Sequence, residues 1–288
     1  MTTGACLCGT VRFEVSAPYE WMAHCHCSMC RKHHGTLYGT SLGVGKDRFR
    51  WLAGEADIVH YRSSPSLERP FCKHCGSSVP DTSGAVVTVP AGLLQEDPGI
   101  KPQAHIFVKS KSPMWDIQDD LPQFDEYPPG YGTAVAAPAH ASSESDGITG
   151  SCLCGAVAYV IDAMPTKVVN CHCTRCQRSR GVAHATNVFV REQNLRWLRG
   201  AEQLASYKVP GAELFTTSFC SRCGSVLPAL FAPIRRYNVP VGSLDRPLAA
   251  KPRLHIYAPS RAPWHTIHDS LPQFDEMPPR DQVKELMF

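Results

Sequence analysis

Fourteen cysteines carry the chemistry open to this chain, and they fall into two copies of one pattern. The first copy is Cys6, Cys8, then Cys25, Cys27, Cys30, then Cys72, Cys75. The second is Cys152, Cys154, then Cys171, Cys173, Cys176, then Cys220, Cys223. Each reads C-x-C, C-x-C-x2-C, C-x2-C, and no cysteine is left over. Close-spaced pairs let two sulfurs on one tight turn reach the same ion, which points to zinc. A closed zinc site needs four ligands, and the outer pairs supply them: Cys6, Cys8, Cys72 and Cys75, and likewise Cys152, Cys154, Cys220 and Cys223. Glycine follows each of these pairs, at Gly9, Gly76, Gly155 and Gly224, as a tight turn beside the sulfurs requires.

Three sulfurs per copy remain: Cys25, Cys27, Cys30, and Cys171, Cys173, Cys176. Three protein ligands with a vacant fourth position is how zinc is held where it reacts. The competing reading is a second structural site closed by histidine. His26 and His172 lie inside the motif, between two ligating cysteines. His24 is replaced by Asn170 and His34 by Arg180, so neither accounts for both copies. His105 and His255 match but begin a strand, as core or hydrogen-bonding residues. Spacing leaves the open and closed sites both standing. An open zinc held by three thiolates is a soft, weak Lewis acid whose natural fourth ligand is sulfur. A thiol bound there loses its proton, which makes a nucleophile or a leaving group at neutral pH.

The elements that must position these residues also repeat. Cys6-Leu7-Cys8-Gly9 returns as Cys152-Leu153-Cys154-Gly155, and Leu121-Pro122-Gln123-Phe124-Asp125-Glu126 returns unchanged from Leu271 to Glu276. Pro113 and Trp115 are echoed by Pro263 and Trp264, read as a one-residue deletion. The 288 residues therefore divide into two tandem domains, 1–129 and 148–288. The intervening 130–147, rich in Gly, Ala, Ser and Pro, reads as a flexible linker. Duplicated domains are expected to pack as a pseudo-twofold pair. Val11, Phe13 and Val15 alternate with polar residues as a half-buried strand, and Val157, Tyr159 and Ile161 repeat it. Short β-rich runs follow at Phe49-Trp51, Ile58-Tyr61, Ala85-Val89 and His105-Val108. The 24 prolines argue against long helices. Short helical turns are expected after each C-x2-C and near Pro113-Met114-Trp115. The fold class is mainly β, built around metal.

Composition limits the partners. The net charge of +3 is mild and argues against nucleic acid, and no run reaches the roughly 18 apolar residues of a membrane helix. The N-terminal residues lack the regions of a signal peptide, so the expected location is cytoplasmic, where clustered cysteines hold metal in preference to disulfides.

The assembled residues resemble the glutathione-dependent formaldehyde-activating enzyme family, also called the centromere protein V domain family. The resemblance rests on Gly4 to Gly9, Cys25-His26-Cys27-Ser28-Met29-Cys30-Arg31, Phe71 to Ser77, and His105 through Phe124. The second copy carries Gly150 to Gly155, Cys171 to Cys176, Phe219 to Ser225 and His255 to Phe274. It implies two tandem zinc-binding β-tent domains, with two zinc ions per domain and four per chain. It also implies a structural zinc on the outer pairs and a catalytic zinc on each trio. The implied activity is that of a carbon–sulfur lyase or synthase, as in S-hydroxymethylglutathione synthesis, where formaldehyde joins the thiol of glutathione. The tandem form departs from the common single domain, and one copy could be active while the other is structural. The alternative function is a non-catalytic zinc module that binds a protein or chromatin partner. Arg31 and Arg175 flank the trios and could meet a carboxylate or simply lie at the surface. Asp119 and Asp269 suit a turn, and Tyr61 and Tyr207 suit packing.

Overall fold

A computed structural model of the chain describes residues 1–65, 67–132 and 147–288. Residues 133–146, inside the segment read as a linker, lie outside the described residues.

The two repeats build the same three sheets in the same order. In the first, Thr2–Ala5, Arg12–Val15 and Phe49–Ala53 form an antiparallel sheet. Ile58–Ser64 pairs with Leu67–Cys72. The third sheet has the spatial order Val86–Pro90, Gly39–Gly45, Trp21–Cys25, Ala104–Ile106, its last pair parallel. The second repeat matches it with Val168–Cys171 between Ala185–Arg191 and parallel Pro252–Ile256. It adds two short strands, Val226–Leu227 beside Thr216–Cys220 and the edge strand Ala229–Phe231. The alternation read at Phe13 and Val15 places both in the core, and Tyr159 and Ile161 occupy the matching positions.

Helices are short. α1 (Ser28–His34) and α2 (Thr174–Arg180) start within the C-x2-C of each trio and stop at Gly35 and Gly181, both left-handed. The outer Cys72 and Cys75 close in a turn, not a helix, with Gly76 at φ +72°. Near Pro113 the chain also turns without forming a helix. Ser112 O accepts from Trp115 N, and Ala262 O accepts from His265 N. The 150-residue offset of His105 to His255 therefore continues unbroken, with no deletion. Trp264 matches Met114, and Trp115 matches His265. A third helix, α3 (Arg280–Met287), packs on the second repeat.

The repeats exchange equivalent contacts. Lys32 on α1 donates to Ser151 O, Ser243 O and Asp245 of the second repeat. The matching Arg178 on α2 donates to Ala5 O and Cys6 O of the first. Gly92 backs onto Val182 and Gly242 onto Thr36, so closely that a Cβ at either would overlap backbone. Met114 sits in the second repeat's core, and Trp264 in the first's. Tyr61 and Tyr207, half-buried, likewise pack across the interface.

Candidate metal centres

The outer cysteines converge as their spacing predicts. The four sulfurs of Cys6, Cys8, Cys72 and Cys75 lie within 4.8 Å of one another, as do those of Cys152, Cys154, Cys220 and Cys223. Cys6 and Cys8 sulfurs are 3.4 Å apart and Cys8 and Cys72 are 3.7 Å apart, with 3.4 and 3.8 Å in the second copy. Tetrahedral zinc with sulfur at about 2.3 Å spaces its ligands about 3.8 Å apart. A disulfide would need about 2.05 Å. Backbone N–H groups of Val11 and Val157 donate to Cys6 and Cys152 at 3.3 Å, as a thiolate ligand invites. Ser77 and Ser225 receive the amides of Leu7 and Leu153 and approach Cys75 and Cys223. The donor set fits zinc.

The trios also gather, each within 4.8 Å. Cys25 ends a strand and Cys27 caps α1, its sulfur accepting the Cys30 amide at 3.3 Å. Cys171, Cys173 and Cys176 repeat this. Among the described residues, no histidine or carboxylate joins either cluster, so the closed-site alternative lacks its fourth ligand.

One buried arginine attends each trio, from different elements. Arg69, on the strand Leu67–Cys72, places its guanidinium nitrogens 3.7 and 3.8 Å from Cys30 sulfur. Hydrogen bonds from Cys25 and Cys27, then this cation, hold the Cys30 thiol below its ordinary value despite burial. The second repeat has Thr217 there, and Arg180 at the end of α2 instead borders Cys176. Arg180 is bound to Gly35 O and Asn187 Oδ1 at 2.7 and 2.5 Å. Arg31 Nη1 donates to the carbonyls of His26 and Ser110. Arg175 is exposed.

Sequence reading missed a chain of side chains behind each trio. His26 Nε2 lies 2.8 Å from His105 Nδ1, and His105 Nε2 is 2.9 Å from Asp119. His172, His255 and Asp269 repeat it at 2.8 and 3.0 Å. Asp119 and Asp269 also cap the amides of Leu121 and Leu271, the turn role expected of them. Burial holds His26 near 3 and His172 near 2, so their rings are neutral. With His105 donating to Asp119, its Nδ1 accepts from His26, which leaves His26 Nδ1 as a buried lone pair without a hydrogen-bond partner among the described residues. The signal was present in the constant offset of His105 and Asp119 to His255 and Asp269, but not in any short motif.

Two cavities adjoin these groups. One, about 560 Å³, opens on Cys25, Cys30 and Arg69. The other, about 500 Å³, lies between the repeats and is bordered by His24, Tyr38, His105, Trp115, His255 and His265.

Fold and sites define a duplicated β protein with two cysteine clusters per repeat. The family model of the glutathione-dependent formaldehyde-activating enzyme matches residues 1–110 and again 147–260, and the chain belongs to that family. A Halomonas elongata protein, whose name assigns it only provisionally as a glutathione-dependent formaldehyde-activating enzyme, is 33% identical over 91 residues. That match covers 26% of this chain and 52% of the relative, so the chain spans about half the length of this curated relative. The crystal structure of a Rhodobacter sphaeroides protein is 30% identical, covering 34% of this chain and 88% of that one, with a TM-score of 0.30. No helix among the described residues is long and apolar enough to cross a membrane.

Proposed function

We propose that this protein is a zinc-dependent enzyme acting at the carbon–sulfur bond between a small thiol and a small aldehyde. The thiol would be of the glutathione type named by the family, and the aldehyde would be formaldehyde. In the synthetic direction the thiol sulfur bonds to the aldehyde carbon. The carbonyl π pair moves to oxygen, and the thiol proton ends on that oxygen. The reverse reaction is the lyase.

The observation that carries this reading is a three-sulfur cluster, unclosed by a fourth side chain among the described residues, at the wall of a cavity of about 560 Å³. That volume lies within the range of small-molecule sites, about 300–1,000 Å³. Zinc on Cys25, Cys27 and Cys30 would supply an open position where a thiol ionises at neutral pH. Arg69 offsets negative charge gathered on the sulfurs. The Cys30 amide and the N-terminal turn of α1 fix Cys27. Outer clusters on Cys6, Cys8, Cys72, Cys75 and Cys152, Cys154, Cys220, Cys223 would hold the fold. Two metal ions per repeat, four per chain, complete the set.

The test uses the zinc-loaded full chain, with exchange between formaldehyde, glutathione and S-hydroxymethylglutathione followed by NMR. Exchange faster than the protein-free mixture supports the enzyme. A rate equal to that mixture, with four metals bound, would leave a binding module for a protein or chromatin partner.

A further inference from the structure

The two trios carry the same ligands, but their surroundings differ at almost every wall position. Resting on the reading of the trios as metal centres, we propose that they divide the work. The first admits the substrate thiol. The second is sealed by the chain's own C-terminal helix and braces the fold.

Paired strands make the comparison position by position. Ala23 and Ala104 stand opposite each other on the strands beside the first trio. Val169 and Leu254 are their counterparts in the second. Leu67 at the rim becomes Phe215, and Gly43 becomes Phe189. The first repeat's small side chains leave the cavity of about 560 Å³. Where the equivalent space borders Cys176, Phe215 and Thr217 it is reduced to about 10 Å³, too small for a thiol ligand, and the separate hollow of about 140 Å³ at Lys167, Arg236 and Met287 is lined by none of the trio's cysteines.

α3 then closes what remains. Met287 is fully buried, in one apolar cluster with Cys171, Cys176, Val169 and Leu254. Phe288 packs edge-on to Phe189 with ring centroids 5.3 Å apart, and the Arg236 guanidinium lies 4.4 Å over its ring. Lys167 Nζ donates to Lys284 O at 3.0 Å, tying the helix to the residue just before the strand Val168–Cys171. Cys171 and Cys176 are 6% exposed and only Cys173 of that trio is partly open, whereas all three cysteines of the first trio are partly open. Charge follows the same division. Arg69 faces the open cavity, while Arg180 is locked between Gly35 and Asn187.

The experiment counts thiol uptake by the full chain loaded with cobalt(II), whose sulfur charge-transfer absorption reports each new thiol ligand. Four cobalt per chain and saturation at one equivalent of 2-mercaptoethanol is the expected result. Ala23→Val with Ala104→Leu should abolish that equivalent by reproducing the second repeat's wall. Truncation after Pro279 together with Phe215→Leu should raise uptake to two. Two equivalents in the full chain, or none, overturns the division. One equivalent retained in a folded truncated variant overturns the seal. Should the truncated chain unfold on thermal melting, the full-chain count and the alanine replacements decide alone. Loading of only two cobalt per chain would instead refute the trios as metal centres, a failure distinct from the others.

Discussion

Arg69 and Cys30 meet at 3.7 Å across 39 residues of sequence, guanidinium against sulfur, inside a cavity wall. Groups that hydrogen-bond a metal ligand tune its charge, and their removal typically costs about 10- to 100-fold in affinity or activity. Arg69→Met is expected to lower kcat/KM by that range, with Arg69→Lys recovering part. Both should melt within a few degrees of the parent. Equal kcat/KM in all three would show that the guanidinium only packs.

The outer and central cysteines should respond differently to loss of one sulfur. Cys6→Ser removes a fully buried sulfur from the cluster that joins the end of the first strand to the Cys72 turn, and is expected to remove the cooperative unfolding transition. Cys27→Ser should keep that transition and lower bound metal from four to three per chain. Elemental analysis beside calorimetry distinguishes the two. A collapse of both variants would make the trio structural.

Asp119 is the outer acceptor for His105. Asp119→Ala strands a buried N–H and should cost about 1–3 kcal/mol in urea unfolding. Asp119→Asn keeps an acceptor oxygen for both His105 and the Leu121 amide, so its cost should be less than half as large. Identical losses for the two variants would contradict the hydrogen-bond account.

Burial pushes His265 down to about 3 from its ordinary 6.5, with His184 also lowered by burial. Between those values the unfolded chain binds protons that the folded chain refuses. Stability is therefore complete above about pH 6.5 and falls as pH drops toward 3. The slope is about 1.4 kcal/mol per pH unit for each such group. His265→Gln should flatten the decline relative to the parent between pH 6.5 and 5, whatever its effect at pH 8. Parallel profiles for parent and variant would exclude His265 as a contributor.

Lys32 joins the repeats through a half-buried pair with Asp245 at 2.8 Å and two carbonyls. Lys32→Ala leaves Asp245 without its cation and should cost about 3 kcal/mol. Asp245, held below the usual carboxylate range partly by Lys32, should then titrate higher, as NMR of its side chain can follow.

Much of this was legible in the residues. Division of the cysteines into fours and threes follows from turn geometry, and the structure groups the sulfurs that way. Strands at Phe13 and Tyr159 follow from alternation. Gly39–Gly45 was not legible, because GTSLGVG alternates nothing and its strand character comes from pairing on both sides. Trp115 and Trp264 drew attention as matching tryptophans, yet they occupy neighbouring positions, and side-chain identity misled where backbone offset would not. The His26–His105–Asp119 chain joins a strand end, a parallel neighbour and a loop, contacts that no short motif encodes. Closure of the second trio arises from Phe215, Leu254 and α3, where the copies have diverged, so comparing the repeats for likeness passes over it.

Tyr38 hydroxyl and His184 Nε2 share a hydrogen bond of 3.1 Å between the repeats, and each is the other's counterpart in the duplicated pattern. Two identical subunits could place tyrosine against tyrosine there, or imidazole against imidazole, but never one of each. A single chain that carries both repeats is free of that constraint. Unequal partners can then meet where the repeats face each other, and each half can differ from the other without dissolving the assembly that shelters both.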